Sequence, residues 1–160
     1  MDIYLVVMRL IHIVAAFLWF GTGFYSSMFL FPALAEVGDA GSTIMKVLAK
    51  NRLFVMIFPV SAGVTVLAGI LLYIRPGETG LFSSAGWMSI SIGALFGILA
   101  AGHGGAVVGR TTTEYIKKLM SGTAQQDELT ALATKLARNA NISLILMIIA
   151  MLGMELARYL

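Results

Sequence analysis

The stretch IYLVVMRLIHIVAAFLWFGTGFYSSMFLF, residues 3–31, decides the fold, and its only formal charge is Arg9. A bilayer's hydrocarbon core, about 30 Å thick, is crossed by about 20 mostly apolar residues, so this run crosses with residues to spare. It also carries His12. An ionisable side chain at that depth is expensive and is kept where it faces a partner, a ligand or a cavity. The chain's second histidine, His103, lies in another apolar run, and there are no others. Two histidines, both in membrane segments, point to a bound cofactor or metal.

Outward from that stretch, three more apolar runs follow at residues 53–74, 86–109 and 142–160. The 160 residues are 59% hydrophobic and 12% charged, which predicts a single all-α domain of four transmembrane helices. With no cysteine, disulfides, thiolate metal sites, iron–sulfur clusters and cysteine nucleophiles are excluded. A formal charge of +3 is too small to argue for nucleic acid. Met1-Asp2 leads straight into the first run without a basic n-region or a small-residue cleavage site, which reads as an uncleaved span.

The charges lie between the runs. Lys46, Lys50 and Arg52 fall in the first loop, and Arg110, Lys117, Lys118, Lys135 and Arg138 in the third, so eight of the 11 basic residues share two loops. The positive-inside rule places those loops in the cytoplasm, with both termini and the middle loop around Gly77 and Gly80 outside. Tyr4, Tyr73, Trp87 and Tyr159 all fall at the outer ends, where aromatic rings favour the headgroup zone. An inner (cytoplasmic) membrane of a bacterium or archaeon is the expected location.

The third loop reads as a helical hairpin projecting into the cytoplasm. Gly122 suits the position just past a helix end, and Thr123 with Gln126 reads as a capping box. Leu129, Leu132 and Leu136 then recur at helical spacing, so a helix from about Ala124 runs on into the fourth span. Gly41-Ser42 reads as another helix start, and Pro59 as a site where the second span can kink.

The four outer aromatics serve as a depth ruler. His12 lies eight residues past Tyr4 and Met151 eight before Tyr159; Thr65 and Leu95 are the corresponding positions on the middle spans. His103 lies 16 residues past Trp87, deeper by about 12 Å at 1.5 Å per residue, too far to share one iron with His12. Met147, Met151 and Met154 form a thioether stripe on the fourth span. A His–Met pair ligates haem and methionine clusters suit Cu(I), whereas methionine also fills gaps between helices. His12 itself reads either as a ligand or as a hydrogen-bonded core histidine.

Arg9, one helical turn before His12, has two readings as well: an ion pair with Glu155 in the outer leaflet, or a contact to a haem propionate. The third span carries Gly93-x-x-x-Gly97 and Gly102-His103-Gly104-Gly105, which suit close helix packing or a slot for a flat ligand. Nothing in the chain resembles a Ser–His–Asp set, a phosphate loop or paired intramembrane carboxylates, and Glu155 is the only carboxylate within the spans.

Ile11-His12, Trp19-Phe20 and Phe24-Tyr25, then Arg52-Leu53-Phe54, Pro59 and Gly69, then Trp87, His103 and Gly109-Arg110, together resemble the HemJ family of membrane protoporphyrinogen oxidases. Pro32-Ala33-Leu34 with the early histidine and tryptophan also resembles the copper-resistance D (CopD-like) four-helix proteins. The resemblance implies a haem-binding four-helix fold. Met28, Ser89, Ser91 and Ala140 stand where the HemJ family has polar residues, so oxidase activity on a tetrapyrrole is not expected. The expectation is a haem b protein with an electron-transfer or redox-assisting role, using His12, Met151, His103 and Arg9. The alternatives are a copper-handling protein with the metal on His12 and the methionines, and a non-catalytic subunit of a larger complex. Expected partners are the lipid bilayer, a redox protein or quinone, and a homo-oligomer or larger membrane assembly.

Overall fold

A computed structural model describes residues 2–74 and 83–160. The middle-loop glycines Gly77 and Gly80 lie outside the described residues. The first span opens at α1 (Ile3–Tyr25), where the Asp2 side chain accepts from the Tyr4 backbone N–H at 3.0 Å. It continues through a π turn (Ser26–Leu30) into α2 (Phe31–Glu36), one apolar rod of 34 residues that ends five residues later than the hydropathy pattern predicts.

A reversal at Gly38, whose φ of 57° suits glycine, leads into α3 (Asp39–Lys50). This start lies two residues ahead of the expected Gly41, which serves instead as a contact. A Cβ there would overlap the Leu34 carbonyl oxygen, so only glycine lets α2 and α3 fold back this closely. The second span does not continue from α3. Asn51 turns extended and caps a new helix, α4 (Arg52–Tyr73), by accepting from the N–H groups of Leu53 and Phe54. α4 passes Pro59 without a break.

The third span is α5 (Ser84–His103), capped by Ser83, followed by a second π turn (Gly104–Gly109) and α6 (Arg110–Ser121). α6 ends at Gly122, whose φ of 69° is the left-handed cap the sequence predicts. The capping box does not form. Thr123 turns to Ser121, their hydroxyls 3.0 Å apart, and Gln125 precedes the last helix without a side-chain cap. That helix, α7 (Gln126–Leu156), runs unbroken into the fourth span and stops four residues short of the predicted end.

Among the described residues, four helical rods are long and apolar enough to cross a membrane, and the chain is an all-α integral membrane protein. Large apolar side chains such as Phe17, Leu67, Ile145 and Leu152 lie exposed along the rods, as a lipid-facing surface requires. Successive rods are antiparallel. His12 meets Thr65 while Gly23 meets Phe58; Tyr73 meets Ser91 while Phe58 meets Gly104; Ser89 meets Gly153 while His103 meets Ser143. The packing is uneven: α1 pairs closely with α4 and α5 with α7, and the two pairs touch each other far less.

Two cores result. In the membrane, Trp19, Ala62, Ala100, Leu144 and Met147 bury against Phe58. Beyond it, Met45 of α3, Leu119 of α6 and Leu129 of α7 pack with Leu34 and Tyr115, and a Lys118–Glu128 ion pair ties α6 to α7. Leu129, the first residue of the amphipathic repeat, belongs to this second cluster, and Leu132 and Leu136 are buried further along the same helix.

Candidate functional site

The weak contact between the two helix pairs leaves a cleft of about 570 Å³, lined by all four rods. The α1 face contributes Arg9, His12, Ala16 and Trp19, spaced at one helical stripe. Thr65, Gly69 and Tyr73 of α4 recur at every fourth position, and α7 offers Met147, Ala150, Met151 and Met154. Leu95 of α5 lies on the same wall. The layer deduced from the aromatic ruler, His12, Thr65, Leu95 and Met151, therefore lines one cleft. A second depression, between the outer faces of α1 and α4, is lined by Leu10, Val14, Met56, Val60 and similar side chains and carries no histidine.

His12 is held firmly. Its Nδ1 lies 2.8 Å from the Thr65 backbone oxygen. A carbonyl only accepts, so Nδ1 carries a ring proton, and of the two neutral tautomers this selects the one whose lone pair is on Nε2. Nε2 has no hydrogen-bond partner among the described residues. Gly69 makes the seat: a Cβ there would stand 2.9 Å from His12 Cε1 and 3.2 Å from Nδ1. Sequence reasoning placed Gly69 in a resemblance and missed this role, although its spacing of one turn past Thr65 was the available signal.

The three methionines divide. Met147 is 4% exposed and its Cε fills the space that a Cβ on Gly23 would take. Met154 packs on Gly93, its Cγ 2.9 Å from where a Cβ would be. Met151 is 49% exposed, leaving its side chain the freest of the stripe in the wall of the cleft. Packing thus accounts for Met147 and Met154, and Met151 is the thioether left for a ligand.

At the mouth of the cleft nearer the chain termini, Ser91 donates to the Trp87 carbonyl at 2.8 Å and accepts from the Tyr73 hydroxyl at 2.8 Å. The Tyr73 and Trp87 rings meet edge to face at 5.9 Å. This contact shows two of the ruler aromatics at one level. Arg9 lines the same cleft, but the expected pair with Glu155 does not form: Glu155 bonds Arg158 one turn along its own helix, at 3.3 Å.

At its opposite end the cleft is closed by Trp19, Phe58 and Met147, with the Trp19 and Phe58 rings edge to face at 6.4 Å. Trp19 Nε1 is enclosed there and has no hydrogen-bond partner among the described residues. His103 lies outside the cleft: it bonds the buried Ser143 hydroxyl through Nδ1 at 2.8 Å, and the structure does not bring it together with His12.

The donor set indicates which group fits. Among the described residues no three of His, Cys, Asp or Glu converge, so a bare divalent ion finds no ordinary cage. An ion carried inside a macrocycle needs only one or two axial ligands from the protein. The volume lies within the roughly 300–1,000 Å³ of pockets for small-molecule ligands and cofactors, and the lining is mostly apolar apart from Arg9, His12, Thr65 and the mouth. No family model, curated protein or solved structure matches the chain.

Proposed function

We propose that the cleft binds haem b, with His12 Nε2 as the axial nitrogen ligand, and that the protein carries electrons or assists a redox partner in the membrane. The observation that carries this reading is the Nδ1–Thr65 hydrogen bond. Metal-ligating histidines characteristically donate their other ring N–H to a carbonyl or carboxylate, which fixes the tautomer and raises ligand basicity. Met151 is the candidate second ligand, and Arg9, at the mouth nearer the chain termini, is placed to meet a carboxylate of the bound group. Haem supplies a one-electron couple tuned by its axial ligands and by the dryness of its pocket. This chain's part is to hold the ring, present nitrogen and sulfur, and exclude water with an apolar wall. The resemblance to HemJ and CopD-like proteins supports the same reading from the residues alone.

The test is a visible spectrum of the purified protein. A reducible Soret and α band is the expected result. Colourless protein with stoichiometric copper would replace haem by Cu(I) on His12 and Met151, and colourless, metal-free protein would overturn both in favour of a non-catalytic subunit.

We further propose that the end bearing α3, α6 and the start of α7 is cytoplasmic and that both termini face outward, in an inner membrane. The basic-residue asymmetry supports this. A native chain without cysteine makes the test clean. In intact cells, Ser84→Cys is expected to react with a membrane-impermeant maleimide and Lys118→Cys to stay protected; the reverse pattern inverts the topology.

A further inference from the structure

The outer faces of α1 and α4 meet in a groove of about 680 Å³ that shares no lining residue with the His12 cleft. Small side chains make its floor: Ala15 of α1 and Ser61 of α4 are 6% and 5% exposed. Larger ones form its rims, Leu10 and Val14 on α1 and Met56 and Val60 on α4, each between 44% and 58% exposed. The Ser61 hydroxyl turns back on its own helix, donating to the carbonyls of Ile57 at 2.6 Å and Phe58 at 3.1 Å. Its proton is engaged there, and every other lining residue is apolar.

Along α4 the lining runs from Leu53 to Val64. At 1.5 Å per residue that is about 17 Å, close to the roughly 15 Å that one leaflet contributes to a hydrocarbon core about 30 Å thick. The two limits fit that layer. Leu53 follows Arg52 at the start of α4, and Val64 adjoins Thr65, the residue that meets His12 in mid-span. On α1, Gly21 continues the face of Val14 and Leu18, and no atom lies within 4 Å of a Cβ there, so the wall stays open toward the Arg52 end. Such a slot takes one extended hydrocarbon chain from a single leaflet.

The charge at that end chooses the headgroup. Lys50 closes α3, Asn51 makes the turn and Arg52 opens α4, so two cations flank the turn that leads into the groove. Both are exposed, and neither forms an ion pair among the described residues. Arg52 stands one turn before Met56 on the same helix face, and neither α1 nor α4 contains an Asp or Glu to neutralise it. Basic residues at a membrane surface attract anionic lipid, and a guanidinium pairs with phosphate bidentately. A zwitterionic headgroup would bring a further cation to the pair, and a fatty acid lacks the phosphate oxygens that two cations can share. We infer that the α1–α4 groove holds one acyl chain of an anionic phospholipid whose phosphate is bound by Arg52 and Lys50. Seated there, the lipid covers the seam of the helix pair that holds His12 against Thr65. None of this rests on what the His12 cleft binds.

The experiment is native mass spectrometry of the full-length protein released from detergent micelles, titrated with dioleoylphosphatidylglycerol, dioleoylphosphatidylcholine or oleate. One phosphatidylglycerol per chain is expected, held about 25-fold more tightly than phosphatidylcholine, since each basic residue near a membrane surface contributes about fivefold. Arg52→Gln is expected to weaken phosphatidylglycerol binding about fivefold, and adding Lys50→Gln to bring it to the phosphatidylcholine level. Val60→Trp fills the groove from an exposed rim and is expected to abolish retention of phosphatidylglycerol. Val14→Trp does the same from α1 should Val60→Trp not fold. His12→Ala is expected to leave lipid binding unchanged, so this reading and the haem reading fail separately. Equal retention of phosphatidylglycerol and phosphatidylcholine, tighter retention of oleate, or a preference that survives Arg52→Gln with Lys50→Gln would each overturn the proposal. So would phosphatidylglycerol retained by a folded groove-filled variant, or disulfide-linked Val14→Cys dimers in bilayers, which would give the groove to a second copy of the chain.

Discussion

Replacing His12 with alanine is expected to strip the protein of haem while it still inserts and folds. In the proposed site the iron depends on one nitrogen, and the structure offers no substitute nearby, since His103 is bound to Ser143 outside the cleft. The expected loss in Soret absorbance per protein is at least about tenfold, since even changes one shell removed from a metal cost 10–100-fold in affinity. Gly69→Ala provides such a change. Its Cβ would stand 2.9 Å from Cε1, displacing the imidazole from the Thr65 carbonyl, and haem affinity is expected to fall about 10–100-fold with His12 still present. Met151→Leu should behave differently, retaining haem while lowering its reduction potential or changing its spin state, because a thioether ligand raises the potential. Redox titration and absorbance of the three variants check the set. Full haem content and an unchanged spectrum in His12→Ala would remove His12 as the ligand and make His103 the next residue to substitute.

The spans and their common depth could be read from residues, because both follow from one-dimensional quantities. A run of apolar residues has a length, and a tyrosine or tryptophan at its end marks an interface. That arithmetic put Thr65 opposite His12, and the hydrogen bond is there at 2.8 Å. What escaped was partnership. Arg9 and Glu155 share a depth, but Glu155 pairs with Arg158 one turn along its own helix, and depth alone does not choose a partner. The π turns escaped because Ser-Ser-Met-Phe-Leu and Gly-Gly-Ala-Val-Val-Gly have nothing in composition to set them apart from α-helical membrane sequence. Phe58 escaped for the opposite reason: among so many apolar side chains, one that bridges two glycines on different helices looks like any other. The capping box failed because the Thr123 hydroxyl had a nearer partner in Ser121.

The second large effect concerns the glycines of the α5–α7 contact, and its sign reverses between positions. A Cβ on Gly153 would lie 2.9 Å from Gly93 Cα, 3.0 Å from its nitrogen and 3.1 Å from the Ser89 carbonyl oxygen, all backbone atoms that no rotamer change can move. Gly153→Ala therefore forces the helices apart along their length. It strains the Ser89 hydroxyl's bond to the Gly153 carbonyl, now 2.7 Å, and loosens Met154 on Gly93. Within lipid, burial supplies no driving force between helices, so close packing and such hydrogen bonds hold the pair together. Overpacking of this kind costs about 1–3 kcal/mol. At Gly63 of α4, by contrast, a Cβ meets nothing within 4 Å, and alanine there removes only backbone freedom. Gly63→Ala is expected to stabilise by about 0.5–1 kcal/mol. Unfolding titrations in mixed micelles with increasing denaturing detergent would measure both against the native chain. Equal midpoints for the two variants would mean that the α5–α7 contact is not the one holding the bundle, and the uneven pairing that opens the His12 cleft would lose its cause.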